Sequence, residues 1–131
     1  MIRAAALIGR PVDAGIREVL EPIRGDEVTV RFLPFPRRRI WPTSVAAMTM
    51  PWAIYIRPEV LAADEFVVRR LIVHELVHAR QWKTLGVSRF LSRYLTEYLR
   101  NRLAGMSHPQ AYRAISLEVE AYAIADQLVR R

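Results

Sequence analysis

The 131-residue chain has no cysteine, which excludes disulfides and every metal site built on thiolates. Any metal it holds must be bound through nitrogen and oxygen. Histidine is scarce, with three in the chain, and Lys83 is the only lysine, so the net charge of +7 is carried by arginine. The arginines are scattered; the only run of three, Arg37-Arg38-Arg39, lies between prolines. A nucleic-acid footprint should cluster on one face, so nucleic acid is not an expected partner. Long apolar runs are missing too. The N-terminal stretch Ala4-Ala5-Ala6-Leu7-Ile8 is shorter than a signal-peptide core, and nothing reaches bilayer-spanning length. A soluble, cytoplasmic protein is expected, although a chain trimmed of a leader would read the same. An apolar content of 52% with 25% charge argues against disorder and fits one domain over residues 1–131.

Taken in order, Asp13 is placed to cap a short helix over about 14–21, and Gly25-Asp26 makes a turn. The segment 27–32 alternates, with Val28, Val30 and Phe32 on one face, as a half-buried strand does. Pro34, Pro36 and Pro42 keep the following segment irregular. Residues 44–49 and 53–56 read as two strands, paired around Met50-Pro51-Trp52. Asp64 then caps a helix running to about Lys83 and stopped by Gly86. Ser88 is placed to cap a second helix, about 89–104, whose apolar positions are Phe90, Leu91, Tyr94, Leu95, Tyr98, Leu99 and Leu103. Ser107-His108-Pro109-Gln110 has the capping-box pattern of a third helix reaching about Val129. The expected fold is therefore α+β: a small N-terminal sheet, the helix at about 64–83, and two further helices.

The first of these helices carries His74-Glu75-Leu76-Val77-His78, which holds two of the three histidines. One helical turn puts His74 and His78 on the same face, where two imidazoles can share one metal ion with Glu75 beside them to handle a proton. Such a match arises by chance in on the order of a few chains per thousand, so a helix whose histidines are hydrogen-bonded core residues competes with it. Zinc bound in this way needs a third protein ligand and an open position for water. An extension of the motif with glycine at 81 and histidine at 84 is ruled out by Gln81 and Thr84. His108 and a downstream carboxylate remain.

The last helix separates these. Its apolar face passes through Ala114, Leu117, Ala121, Ile124, Ala125 and Leu128, with Glu118 near its middle and Glu120 on the polar side. A carboxylate in an apolar stripe is costly unless paired. Glu118 therefore calls for a metal or a buried cation, for which an arginine would also serve.

With His74-Glu75-x-x-His78 followed by Glu118-Val119-Glu120-Ala121, the chain resembles the gluzincin metallopeptidases, whose third zinc ligand is a glutamate on a later helix. Ala47-Met48-Thr49-Met50, Ile54-Tyr55-Ile56 and Gln81-Trp82 make it similar to small bacterial metalloprotease-like domains of uncharacterised function. The resemblance spans about 45–126. It implies Zn2+ held by His74, His78 and Glu118, Glu75 as general base, and a sheet edge at 45–50 to which a peptide adds as a strand. Many gluzincins carry an aspartate four residues after the ligand glutamate; this chain has Tyr122.

The resemblance thus implies peptide-bond hydrolysis, with Glu75 taking a proton from a zinc-activated water and passing it to the leaving amine. Tyr94, Tyr98, Tyr112, Tyr122 and His108 are unranked candidates for a second oxyanion donor. Trp41 and Trp52 are expected to pack near the edge strand. The expected partner is a peptide or protein substrate, and so small a domain also suits a regulatory protein partner. The alternative is a non-catalytic zinc-binding module for protein interaction.

Overall fold

The computed structural model describes residues 2–3, 29–32 and 46–129. The expected helix at about 14–21, the Gly25-Asp26 turn, Val28, the Arg37-Arg38-Arg39 run and Trp41 lie outside the described residues.

Among the described residues, four strands form one mixed sheet: β1 (Ile2–Arg3), β2 (Thr29–Phe32), β3 (Ala47–Met50) and β4 (Ala53–Ile56), in the order β1-β2-β4-β3. β2 runs antiparallel to β1 and parallel to β4. β3 and β4 are the expected antiparallel pair, with Met50 opposite Ala53 across the Pro51-Trp52 turn. Among the described residues β3 thus ends the sheet. Val30, Ile54 and Ile56 are fully buried, while Tyr55 and Arg57 are not, so the alternation reports one covered face.

The cover is helix α1 (Glu65–Leu85). Asp64 caps it, its carboxylate accepting from the Phe66 N–H at 2.9 Å. Val68, Ile72, Val73, Leu76 and Val77 pack on the buried strand residues to make the main core. Gly86 ends α1 with φ 81°, a left-handed conformation suited to glycine, and its N–H donates to the Trp82 carbonyl at 2.9 Å. The next residue already begins α2 (Val87–Leu103), so Ser88 does not serve as the expected cap.

Two further helices follow α2 where one was expected: α3 (His108–Arg113) and α4 (Ser116–Leu128). The capping box of Ser107 and Gln110 forms as the sequence indicates. The break lies at Ile115, extended at φ −62° and ψ 130° and fully buried beside Trp82, Phe90 and Leu117. Ala114, expected on the buried face, is exposed because it precedes this break. Swinging Ile115 into the second core cluster costs a turn of helix, and no side chain of Ile115 can cap α4. Glu97 of α2 does so instead. Its two oxygens accept from the Ser116 N–H at 3.0 Å and the Ser116 hydroxyl at 2.9 Å, with Arg93 alongside.

Partial burial pushes the Glu97 carboxyl up, but Ser116 and Arg93 outweigh it and hold it below its ordinary value. Its contribution to stability is thus present above the unfolded-state carboxylate value and lost as pH falls through the folded one. Glu97→Ala is expected to cost about 1 kcal/mol at neutral pH. In urea titrations, the gap between this variant and the parent should close as the pH is lowered past the carboxylate range.

α2 departs from expectation in one more way. Phe90 is buried and Tyr94 and Tyr98 are half-buried, but Leu91, Leu95, Leu99 and Leu103 face solvent. No helix among the described residues is long and apolar enough to cross a membrane.

Candidate metal centre

α1 and α4 pack along each other, with Ala121 and Ala125 of α4 fully or almost fully buried against the α1 side of the core. Side chains this small let the two backbones approach, and the first turn of α4 then faces His74 and His78. Glu118 is 1% exposed and Glu120 is exposed, as the helix-face argument requires. The partners of Glu118 are the two histidines rather than an arginine.

His74, His78 and Glu118 are close enough to bind one metal ion. The two Nε2 atoms lie 3.1 Å apart, and Glu118 Oε2 lies 3.1 Å from His78 Nε2 and 3.6 Å from His74 Nε2. Metal bonds of about 2.0–2.2 Å at tetrahedral angles separate donor atoms by about 3.3 Å. The triangle therefore fits a metal of that bond length. Two imidazoles and a carboxylate also suit several divalent ions.

Surrounding hydrogen bonds orient two of the three donors, His78 and Glu118. His78 Nδ1 lies 2.8 Å from Gln81 Oε1, an oxygen that can only accept. Nδ1 therefore carries a proton, and the Nε2 lone pair is left for a metal. The Gln81 amide in turn donates to the Leu117 carbonyl and to Glu120 Oε1, both at 3.0 Å. The Tyr112 hydroxyl donates to Glu118 Oε1 at 2.9 Å, which fixes the carboxylate with Oε1 on His78 and Oε2 within reach of both histidines.

Without a metal, His78 and Glu118 make a charge-assisted pair, Nε2 to Oε1 at 2.6 Å. Burial opposes the charge on His78, but the Glu118 hydrogen bond and the Glu75 and Glu118 carboxylates outweigh it and raise its pKa. Burial likewise pushes Glu118 up, yet hydrogen bonds and charge from His74 and His78 hold it at about 2. Burial and the Glu118 charge raise Tyr112, keeping it a phenol that donates.

Glu75 stands beside the triangle, 5% exposed. The Thr49 hydroxyl of β3 lies 2.5 Å from Glu75 Oε2 and 3.1 Å from the Glu75 carbonyl. One donor ties the carboxylate to the end strand of the sheet. That strand is itself anchored by the Trp82 indole, which donates to the Thr49 carbonyl at 2.9 Å. The Ala46 carbonyl accepts from Arg57 on the β4 side, so alternate carbonyls, those of Ala47 and Thr49, face away from β4. Trp82 occupies the second of these.

The remaining candidates fall into place around this cluster. Tyr122 packs its ring edgewise on His74 at 4.3 Å between centroids, with the Arg113 guanidinium over it at 4.6 Å. Tyr94 stacks on Phe90 and borders Tyr112. Tyr98 and His108 are bonded to each other, Oη to Nδ1 at 2.6 Å, and His108 is not in the metal-binding group. Trp52 is 65% exposed, against the expected packing role, and its indole donates to the Tyr55 hydroxyl.

Gln81, Thr49 and Tyr112 were not assigned these supporting roles from the sequence. Gln81 was legible, since three residues after His78 it shares that face; Thr49 and Tyr112 arrive by tertiary packing alone. Gln81→Leu is expected to weaken metal affinity about 10–100-fold without unfolding the chain, measured by competition with a chromogenic chelator. An unchanged affinity would mean that the His78 tautomer needs no such anchor. No protein-family model, curated protein or solved structure matches the chain.

Proposed function

We propose that the chain is a gluzincin-like zinc metallopeptidase that hydrolyses peptide bonds. The observation that carries this reading is the convergence of His74, His78 and Glu118 on one tetrahedral-sized triangle, with Glu75 tied beside it by Thr49. The cysteine-free nitrogen and oxygen donor set suits zinc. When bound there, zinc supplies Lewis acidity toward a carbonyl and lowers the pKa of a water.

The chain's own residues do the rest. Thr49 holds one oxygen of Glu75, and the other accepts a proton from the attacking water and returns it to the leaving amine. Gln81 and Tyr112 keep His78 and Glu118 aimed so that no reorganisation is needed during the reaction. An extended peptide adds along β3, where the outward Ala47 carbonyl is the acceptor not taken by Trp82.

One observation favours a second reading, a non-catalytic zinc module. His74, Glu75, His78 and Glu118 are all between 1% and 6% exposed, which suits an ion sealed from substrate. The deciding experiment loads the full chain with zinc and exposes it to a mixed peptide library, with products read by mass spectrometry. Cleavage that stops with a chelator and returns with zinc supports the peptidase. A fully loaded protein that cleaves nothing supports the module.

A further inference from the structure

The outward face of α2 does not take part in the metal centre. Val87, Leu91, Leu95, Leu99 and Leu103 recur at every fourth residue and are between 42% and 90% exposed. Residues four apart stack one turn above another, so these five make a continuous ridge about 24 Å long that winds slowly round the helix. Isolated exposed leucines need no explanation, but an aligned ridge does.

Charge narrows what would fit it. α2 carries Arg89, Arg93, Arg100 and Arg102 against Glu97 alone. Arg89, Arg93 and Arg100 line an open groove of about 680 Å³ together with Ser88, Ser92, Thr96 and Glu97. Arg93 is engaged with Glu97 and Ser116. Among the described residues, Arg89 and Arg100 have no ion-pair partner.

A second copy of the chain laid on this ridge would bring two arginine-rich faces together within a net +7 molecule. An anionic partner that also accepts hydrocarbon meets both halves of the face. A helix of this kind lies in the plane of a membrane surface, with leucines among the acyl chains and arginines at the headgroups.

We propose that α2 is an interfacial helix that docks the protein on an anionic phospholipid surface, with Leu91, Leu95 and Leu99 inserting and Arg89 and Arg100 meeting lipid phosphates. The docking is independent of zinc and of catalysis. Both substitution sets lie on exposed side chains, so the core and the metal centre are left intact.

The test is co-sedimentation of the full chain with vesicles of phosphatidylcholine alone and of phosphatidylcholine with phosphatidylserine. Binding is expected to the phosphatidylserine vesicles only, and to weaken as salt is raised. Leu95→Glu with Leu99→Glu should abolish it, and Arg89→Gln with Arg100→Gln should weaken it by roughly tenfold or more, both with unchanged circular dichroism. Because the chain has no cysteine, Leu99→Cys can be labelled uniquely with a polarity-sensitive dye, whose emission should shift to the blue on those vesicles. No sedimentation, equal sedimentation with both vesicle types, or binding that survives the double Glu substitution overturns the proposal. So does a concentration-dependent dimer that loses its self-association in the same double variant, which would assign the ridge to a second copy.

Discussion

Glu118→Ala is expected to abolish stoichiometric zinc binding, whereas Glu120→Ala keeps it. Both residues are glutamates in the first half of α4, two positions apart, so composition and local charge change equally. Glu118 is 1% exposed and supplies the oxygen corner of the donor triangle. Its loss removes one of three ligands, which should exceed the ~10–100-fold penalty typical of a lost supporting hydrogen bond. It also strips His78 of its carboxylate partner, so the metal-free variant should be destabilised as a broken buried pair is, by about 3–5 kcal/mol. Glu120 touches the site only through Gln81, which retains the Leu117 carbonyl. Its removal should cost about tenfold in affinity or less. Metal analysis of both proteins after equal zinc loading, with urea titration of the metal-free forms, checks the pair. Loss of zinc from Glu120→Ala with retention in Glu118→Ala would reverse the assignment.

Glu75→Gln should leave zinc content unchanged and lower the rate of peptide cleavage by roughly 10²–10⁴-fold. The amide keeps the size of the side chain and an oxygen that can accept from Thr49, so packing and the tie to β3 survive. What it loses is basicity. The contrast with Glu118→Ala separates the two roles: one variant loses metal and activity together, the other loses activity alone. Steady-state kinetics at equal zinc occupancy reads the difference, and the fall should lie in kcat rather than KM. Cleavage at the parental rate would remove Glu75 from the role of base.

Much of the fold could be read from short-range pattern. Alternation at Ile54 and Ile56, the Asp64 cap, the Gly86 stop and the Ser107-Gln110 capping box each report a constraint local to a few residues, and each stands as expected. Glu118 was legible for a related reason. A charged group in an apolar stripe carries a cost that periodicity alone exposes, and only its partner had to be supplied from elsewhere. The helix break at Ile115 was not legible. Residues 108–129 contain no internal signal strong enough to stop a helix, and the interruption depends on a pocket formed by Trp82 and Phe90 and on a cap lent by Glu97. The same holds for α2, where helical spacing grouped aromatics and leucines into one broad apolar face. Packing buries the aromatic side of that face and leaves the leucines out.

The sequence by itself determined that any metal here meets nitrogen and oxygen, that His74 and His78 share a face, and that Glu118 rather than Glu120 must be buried. These follow from composition and helical period, which need no third dimension. Only the tertiary structure decided that Glu118 meets two histidines instead of an arginine, and that Thr49, Gln81 and Tyr112 hold the cluster in place. The reason is distance along the chain: Thr49 and Glu75 are 26 residues apart and His78 and Glu118 are 40 apart. Only the packing of α1 between β3 and α4 brings them within hydrogen-bond reach.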